Sequence, residues 1–127
     1  MTTTAMTMTV SEAAQRVGLT AYTLRWYEQE GLVEPIGRDS AGRRVYTEQD
    51  VNWLLLLTRL RRTGMPVRDM RRYAELAREG DQTIAARLAL FQAHRDRVLT
   101  RIAELEEDLK VLDHKIEWYG RAVDGLC

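Results

Sequence analysis

From Gln82 through Tyr119 the chain contains neither glycine nor proline, and apolar residues return in alternating steps of three and four. The series is Ile84, Leu88, Phe91, Val98, Ile102, Leu105, Leu109, Leu112, Ile116, Tyr119, Val123 and Leu126, interrupted only by Arg95. Such steps hold one stripe of a helix facing one way, which is the seam of a coiled coil. A helix of this extent is roughly 55 Å long at about 1.5 Å per residue, longer than a small domain is wide. Nothing else in the 127 residues is long enough to fold back along it. The seam therefore predicts a second copy of the chain and a homodimer, with Leu88, Phe91, Val98, Ile102, Leu105, Leu109, Leu112, Ile116 and Tyr119 as dimerisation residues. Arg95 either snorkels at the end of the seam or pairs across it and selects its register.

The region before the seam is built from shorter pieces. Thr9-Val10-Ser11-Glu12 has the pattern of a capping box, in which a Thr hydroxyl and a Glu carboxylate each accept from the other residue's backbone N–H. A helix predicted to start there buries Ala13, Ala14 and Val17 and ends at Gly18, which supplies a left-handed exit. Thr20 caps a second helix that runs to Gln29. The connection Val17-Gly18-Leu19-Thr20 is too short for antiparallel packing, so the two helices cross steeply over Leu24 as a helix-turn-helix. Tyr22, Arg25, Trp26 and Gln29 then share the outward face of the second helix. An aromatic and cationic face of this kind suits a DNA major groove, and the same spacing also fits a plain surface whose aromatics cap the core.

After Gly31, the segment Leu32-Val33-Glu34-Pro35-Ile36 reads as an extended arm. Asp39-Ser40-Ala41-Gly42 turns it into Arg43-Arg44-Val45-Tyr46, predicting a hairpin. Arg38, Arg43 and Arg44 would present guanidinium groups to phosphates, contacts that position a protein on DNA without reading sequence. Charges that merely protect the hairpin edge are the other reading of the same residues.

These segments resemble the MerR-type transcriptional regulators. The matching residues are Val17-Gly18-Leu19-Thr20, Leu24-Arg25-Trp26-Tyr27-Glu28, Gly31-Leu32, Gly42, Arg44, Tyr46, Thr47, Asp50 and Leu60 through Gly64, over Thr9 to about Arg78 together with the long helix that follows. The resemblance implies a mainly α fold: a winged helix-turn-helix with a small β-hairpin wing, a helix pair, and a long C-terminal dimerisation helix forming an antiparallel coiled coil. It also implies Arg25 as a recognition-helix contact, Tyr27 as an aromatic brace, Arg44 as a wing contact to phosphate and Thr20 as a cap close to the DNA. The full set of expected DNA-binding residues is Thr20, Tyr22, Thr23, Arg25, Trp26, Tyr27, Arg38, Arg43, Arg44 and Tyr46. The chain departs from the family pattern at Arg43, where an aromatic is common, and at Pro66, where a hydroxyl residue usually caps the next helix. Proline is tolerated at a first helical turn because its missing N–H would be unpaired there.

Between wing and seam, Thr47-Glu48-Gln49-Asp50 signals a third helix running to about Thr63, with Trp53, Leu54, Leu57 and Leu60 as its core stripe. Arg59, Arg61 and Arg62 complement the dipole at its end, a position that also leaves them free for DNA. Gly64-Met65-Pro66 breaks the chain. A fourth helix from Val67 to Glu79 turns Met70, Tyr73, Ala74 and Ala77 inward, with Arg68, Arg71 and Arg72 on its basic outer side. The predicted organisation is a loose tail over 1–8, the winged module over 9–80, and the coiled-coil helix with a short tail over 81–127, with no separate effector domain.

Formal charge is zero, but twelve arginines face ten acids up to Gly80, whereas seven basic residues face nine acids beyond it. A DNA footprint must therefore come from local arginine clusters. No segment has the length and apolarity of a signal peptide or a membrane span, which places the protein in the cytoplasm with no membrane partner. Cys127 is the sole cysteine, and His94 and His114 lie too far apart on one helix to share an ion. No metal, cofactor or disulfide is expected, and oxidation of Cys127 is the one redox route left open. Trp53, Tyr73, Trp118 and Tyr119 are candidates for a small apolar effector site, against the plainer reading that they pack the core. No nucleophile motif, carboxylate pair or phosphate-cradling loop suggests an enzyme. The resemblance implies a dimer on a palindromic promoter, bending and untwisting the spacer in concert with RNA polymerase. A protein-binding winged module is the alternative class.

Overall fold

The computed structural model describes residues 7–126, and the expected Cys127 tail and the tail residues before Thr7 lie outside that range. The chain divides into two compact units, one ending at Leu90 and one beginning at Phe91.

In the first unit, helix α1 (Val10–Val17) opens on the expected capping box. Thr9 Oγ1 accepts from the Glu12 N–H at 3.2 Å and Glu12 Oε1 accepts from the Thr9 N–H at 2.9 Å. Those bonds to Thr9 hold the Glu12 carboxyl below its usual range. Gly18 ends the helix at φ 73°, a left-handed conformation that a side chain disfavours. Helix α2 (Ala21–Gln29) follows at once, its cap Thr20 accepting from the Thr23 N–H at 3.1 Å. Leu24 and Tyr27 point inward, and α1 packs on both α2 and α3 (Glu48–Arg62). An Arg16–Glu48 ion pair also joins α1 to the start of α3.

Two short strands differ from the sequence expectation. Thr7–Met8, assigned to a loose tail, forms β1 and pairs antiparallel with β2 (Tyr46–Thr47), in the register Thr7 to Thr47 and Met8 to Tyr46. The reason is burial: Met8 is nearly enclosed, and an apolar side chain at the edge of the core holds its backbone in place. The arm Leu32–Ile36 buries Leu32, Val33 and Ile36 without becoming a strand, in keeping with Pro35, which has no N–H to donate. The wing hairpin itself is short. It closes through a bridge between Arg38 and Arg44, with the Val45 N–H on the Gly37 carbonyl at 2.8 Å and the Asp39 N–H on the Arg43 carbonyl at 2.9 Å.

Helix α3 starts on a second capping box, Thr47 with Asp50, and buries Val51, Leu54, Leu57 and Leu60. Val51 takes the place expected for Trp53, which is only half-buried. Helix α4 (Val67–Glu79) begins after Pro66 without a side-chain cap; the Pro66 carbonyl accepts from the Asp69 and Met70 N–H groups. It buries Met70, Ala74 and Leu76. Replacing Thr47 by Ala removes the acceptor from the start of α3 and is expected to lower stability by about 1 kcal/mol, read as a fall in the urea midpoint with unchanged slope. An unchanged midpoint would mean that the box contributes nothing beyond solvent.

A single 3-10 turn (Asp81–Thr83) leads into α5 (Ile84–Asp124), one unbroken helix of 41 residues. Along it Leu88, Ile102, Leu105, Leu109, Leu112, Ile116 and Tyr119 stand between 45% and 68% exposed in the single chain. Phe91 and Val98 are partly covered. Among the described residues no helix is long and apolar enough to cross a membrane.

Candidate nucleic-acid interface

Helix α2 carries its outward residues as the spacing predicts. Tyr22 is 72% exposed and Arg25 is exposed, with no partner among the described residues. Trp26 is half-covered and leans on Tyr27, their ring centres 5.5 Å apart at 52°. Thr20 and Thr23 stand side by side at the helix start, hydroxyl to hydroxyl at 2.9 Å.

The wing turn is fixed by one carboxylate. Asp39 Oδ1 accepts from the Ala41 and Arg43 N–H groups, both at 2.9 Å, and Oδ2 accepts from Arg43 Nε at 3.2 Å. The Gly42 N–H closes the turn onto the Asp39 carbonyl, with Gly42 at φ 80°. The Arg43 N–H, more than the guanidinium, holds the Asp39 carboxyl below its ordinary range. A depressed carboxyl stabilises the turn above its unfolded pKa, and that contribution is lost only as the pH falls through the lower folded value; the wing is thus fully set at neutral pH. Asp39→Ala is expected to loosen the wing and weaken duplex binding about two- to fivefold, the scale of an exposed charge pair, with little change in the melting temperature. Equal affinity for variant and parent would remove the wing tip from the interface.

The three wing arginines are each held. Arg38 donates to the Gly42 carbonyl at 2.7 Å, Arg43 lies on Asp39, and Arg44 Nε donates to Glu28 Oε1 at 2.8 Å. Together with Arg25, Thr9 and Val10 they line an open groove between the start of α1, the outer face of α2 and the wing. Four arginines from two elements, against the single acid Asp39, line one concavity and give it the cationic balance that suits a polyanion.

Two residues of the expected DNA-binding set are buried, Tyr27 as a brace would be. Tyr27 is 4% exposed and Tyr46 1% exposed, so both rings belong to the core. Tyr46 lies on β2, and its pairing with Met8 turns the ring into the core. Its hydroxyl is buried without a hydrogen-bond partner among the described residues. Burial, then the charge of Glu28, raises the Tyr46 pKa, and burial also raises that of Tyr27.

Glu28 was not singled out by its residue type. Besides holding Arg44, its Oε2 accepts from the Ile36 N–H at 3.0 Å, so one carboxylate joins α2 to both sides of the wing. The signal was spacing: an acid four residues after the buried Leu24 lies on the inward side of the helix and needs a partner there. The outer side expected of α4 is likewise reduced. Arg71 Nη2 lies 3.0 Å from Glu30 Oε2, and Arg78 Nη2 donates to the Gly31 carbonyl at 2.7 Å, which pins α4 to the end of α2.

The architecture matches known proteins. The family model described as MerR HTH family regulatory protein covers residues 8–76, and that described as MerR, DNA binding covers residues 51–115. The chain belongs to the MerR family. It is 44% identical to an uncharacterized HTH-type transcriptional regulator of Haemophilus influenzae over 92% of this chain and 87% of the relative. The AdhR regulator of Bacillus subtilis is 37% identical over 72% of this chain and 66% of its own length. The crystal structure of HiNmlR, a MerR family regulator lacking the sensor domain and bound to promoter DNA, superposes with a TM-score of 0.85 at 44% identity, covering 92% of this chain and 93% of that one.

Within this MerR-type frame the residues considered for an effector fall into two pairs. Trp53 stacks on Tyr73 with ring centres 5.1 Å apart at 14°, and its Nε1 donates to the Leu32 carbonyl at 2.7 Å. A small cleft beside Trp53 is lined by Leu32, Val33, Ala74, Ala77, Asp50 and Arg78. Trp118 and Tyr119 belong to the second unit, edge to face at 4.9 Å and more than half exposed. Among the described residues no group of three or more His, Cys, Asp or Glu side chains could hold a metal ion.

Proposed function

We propose that this MerR family member binds a palindromic promoter operator as a homodimer and controls transcription by bending and untwisting the spacer for RNA polymerase. One observation carries the reading: Arg25 on the outer face of α2 lines the same groove as Arg38, Arg43 and Arg44 of the wing. A helix that enters a major groove beside a cationic wing can read base edges and grip phosphates at once. The exposed seam of α5 supplies the dimer, its two helices antiparallel, so that two recognition helices meet two half-sites. That HiNmlR is bound to promoter DNA supports the reading. Reshaping the spacer would act through DNA deformability more than through base contacts. The protein in this reading works in the cytoplasm, without catalysis and without a metal. If a small effector exists, the Trp53–Tyr73 and Trp118–Tyr119 pairs are where it would be sought.

The test is binding of the purified chain to a palindrome enriched from a random duplex pool, against a shuffled duplex, titrated with salt and with mass measured in the same buffer. Specific binding by a dimer that falls steeply with salt is expected. A dimer indifferent to both duplexes would reject the reading in favour of a protein-binding module.

A further inference from the structure

We infer that Glu28 positions the wing by exchanging partners, holding Arg44 in the free protein and accepting from the buried Tyr46 hydroxyl once Arg44 turns to a DNA phosphate. The inference rests on the DNA-binding reading above. Three observations carry it. Glu28 is the point at which α2 meets the wing, through the Ile36 N–H and the Arg44 guanidinium. Arg44 is 23% exposed, so its grip on Glu28 is partly screened, yet it lines the open groove where a phosphate would lie. Tyr46 stands two residues beyond Arg44, and residues two apart in extended chain project to one side. Its hydroxyl is enclosed and has no hydrogen-bond partner among the described residues.

A buried O–H without an acceptor is costly, and a carboxylate that loses its cation is costlier. If Arg44 left Glu28 with nothing in its place, binding would have to carry that cost. Tyr46 removes it, because the hydroxyl unpaired in the free state can donate to the carboxylate that Arg44 releases. Burial and the Glu28 charge both favour the protonated phenol, the form that donates. The same carboxylate keeps its bond to the Ile36 N–H throughout, so the wing is not set loose when its arginine changes partner. The bound state then has one mismatch fewer than it would have without the tyrosine, and the free state carries the unpaired hydroxyl in exchange.

The test is a cycle of Tyr46→Phe and Arg44→Gln in the full-length protein, read in urea unfolding and in salt-titrated binding to the enriched palindrome. In the parent, Tyr46→Phe should leave the urea midpoint unchanged or raised, since it removes an unsatisfied hydroxyl, yet weaken operator binding about three- to tenfold. In the Arg44→Gln chain, where Glu28 has no cation to release, Tyr46→Phe should lower the urea midpoint and leave binding unaffected. Arg44→Gln by itself should reduce the slope of log affinity against log salt by about 0.9 per protomer. Equal binding losses from Tyr46→Phe on both backgrounds would overturn the exchange, as would no loss in the parent or an unchanged salt slope. The unfolding measurements need no DNA, so a parent that binds no duplex would reject the function while the Glu28–Tyr46 contact is still judged from the midpoints.

Discussion

A chain carrying Leu105→Glu and Leu112→Glu is expected to remain folded but to run as a monomer, and to bind its operator at least about 100-fold more weakly than the parent. Both leucines are roughly half exposed in the single chain, 45% and 56%, so glutamate meets water there and costs the isolated fold little. Across a seam the same carboxylates would be buried, which is prohibitive without a cation opposite. The loss in binding follows from linkage. Two recognition helices joined by α5 reach their half-sites as one molecule, and such linkage is worth about 10²- to 10⁴-fold without any new contact. Mass in solution, circular dichroism and operator titration on the same sample decide the matter. A double variant that stayed dimeric, or a monomer with parental affinity, would show that the apolar stripe of α5 serves some other purpose.

Arg25→Ala is expected to cost about 1–3 kcal/mol of operator binding per half-site and to relax the base preference at the position it reads. Arg25 lies on the outer face of α2, exposed and with no partner among the described residues, so its removal leaves no buried charge behind and should not lower the unfolding midpoint. The wing arginines are different, since each has a partner within the protein. Their loss should weaken binding evenly over all sequences, as phosphate contacts do. Selection of binding sites from a random pool by parent and variant separates the two effects. If Arg25→Ala selected the same palindrome as the parent with the same affinity, α2 would not be the reading element.

Much of the fold lies close to the surface of the sequence because its signals are local. Thr9 with Glu12 and Thr47 with Asp50 each mark a helix start within four residues, and both capping boxes form as the spacing requires. The outward face of α2 follows from periodicity, as does the continuous run of α5. Other features are not local. The pairing of Thr7–Met8 with Tyr46–Thr47 joins residues far apart in the chain, and no two-residue strand announces itself. Leu76 was absent from the expected inward face of α4, because helical spacing gives a stripe and neighbouring elements decide how wide it is.

The candidate site shows the same division. That Arg25, Arg38, Arg43 and Arg44 are cationic and close to turns is plain in the sequence, but their meeting on one groove depends on how the wing folds back beside α2. Tyr46, an aromatic two residues after a wing arginine, reads equally well as a contact or as core. Only its pairing with Met8 turns it inward. Glu28 gave only the spacing of an inward acid, and its partners come from the wing eight and sixteen residues later. The sequence by itself determined where the helices start and stop, which face of each is apolar, and that α5 needs a partner, since capping and periodicity act within a few residues of backbone. The tertiary structure alone decided which arginines are held, which tyrosines are buried and which carboxylate joins reading helix to wing, because those depend on distances between elements that no local rule fixes.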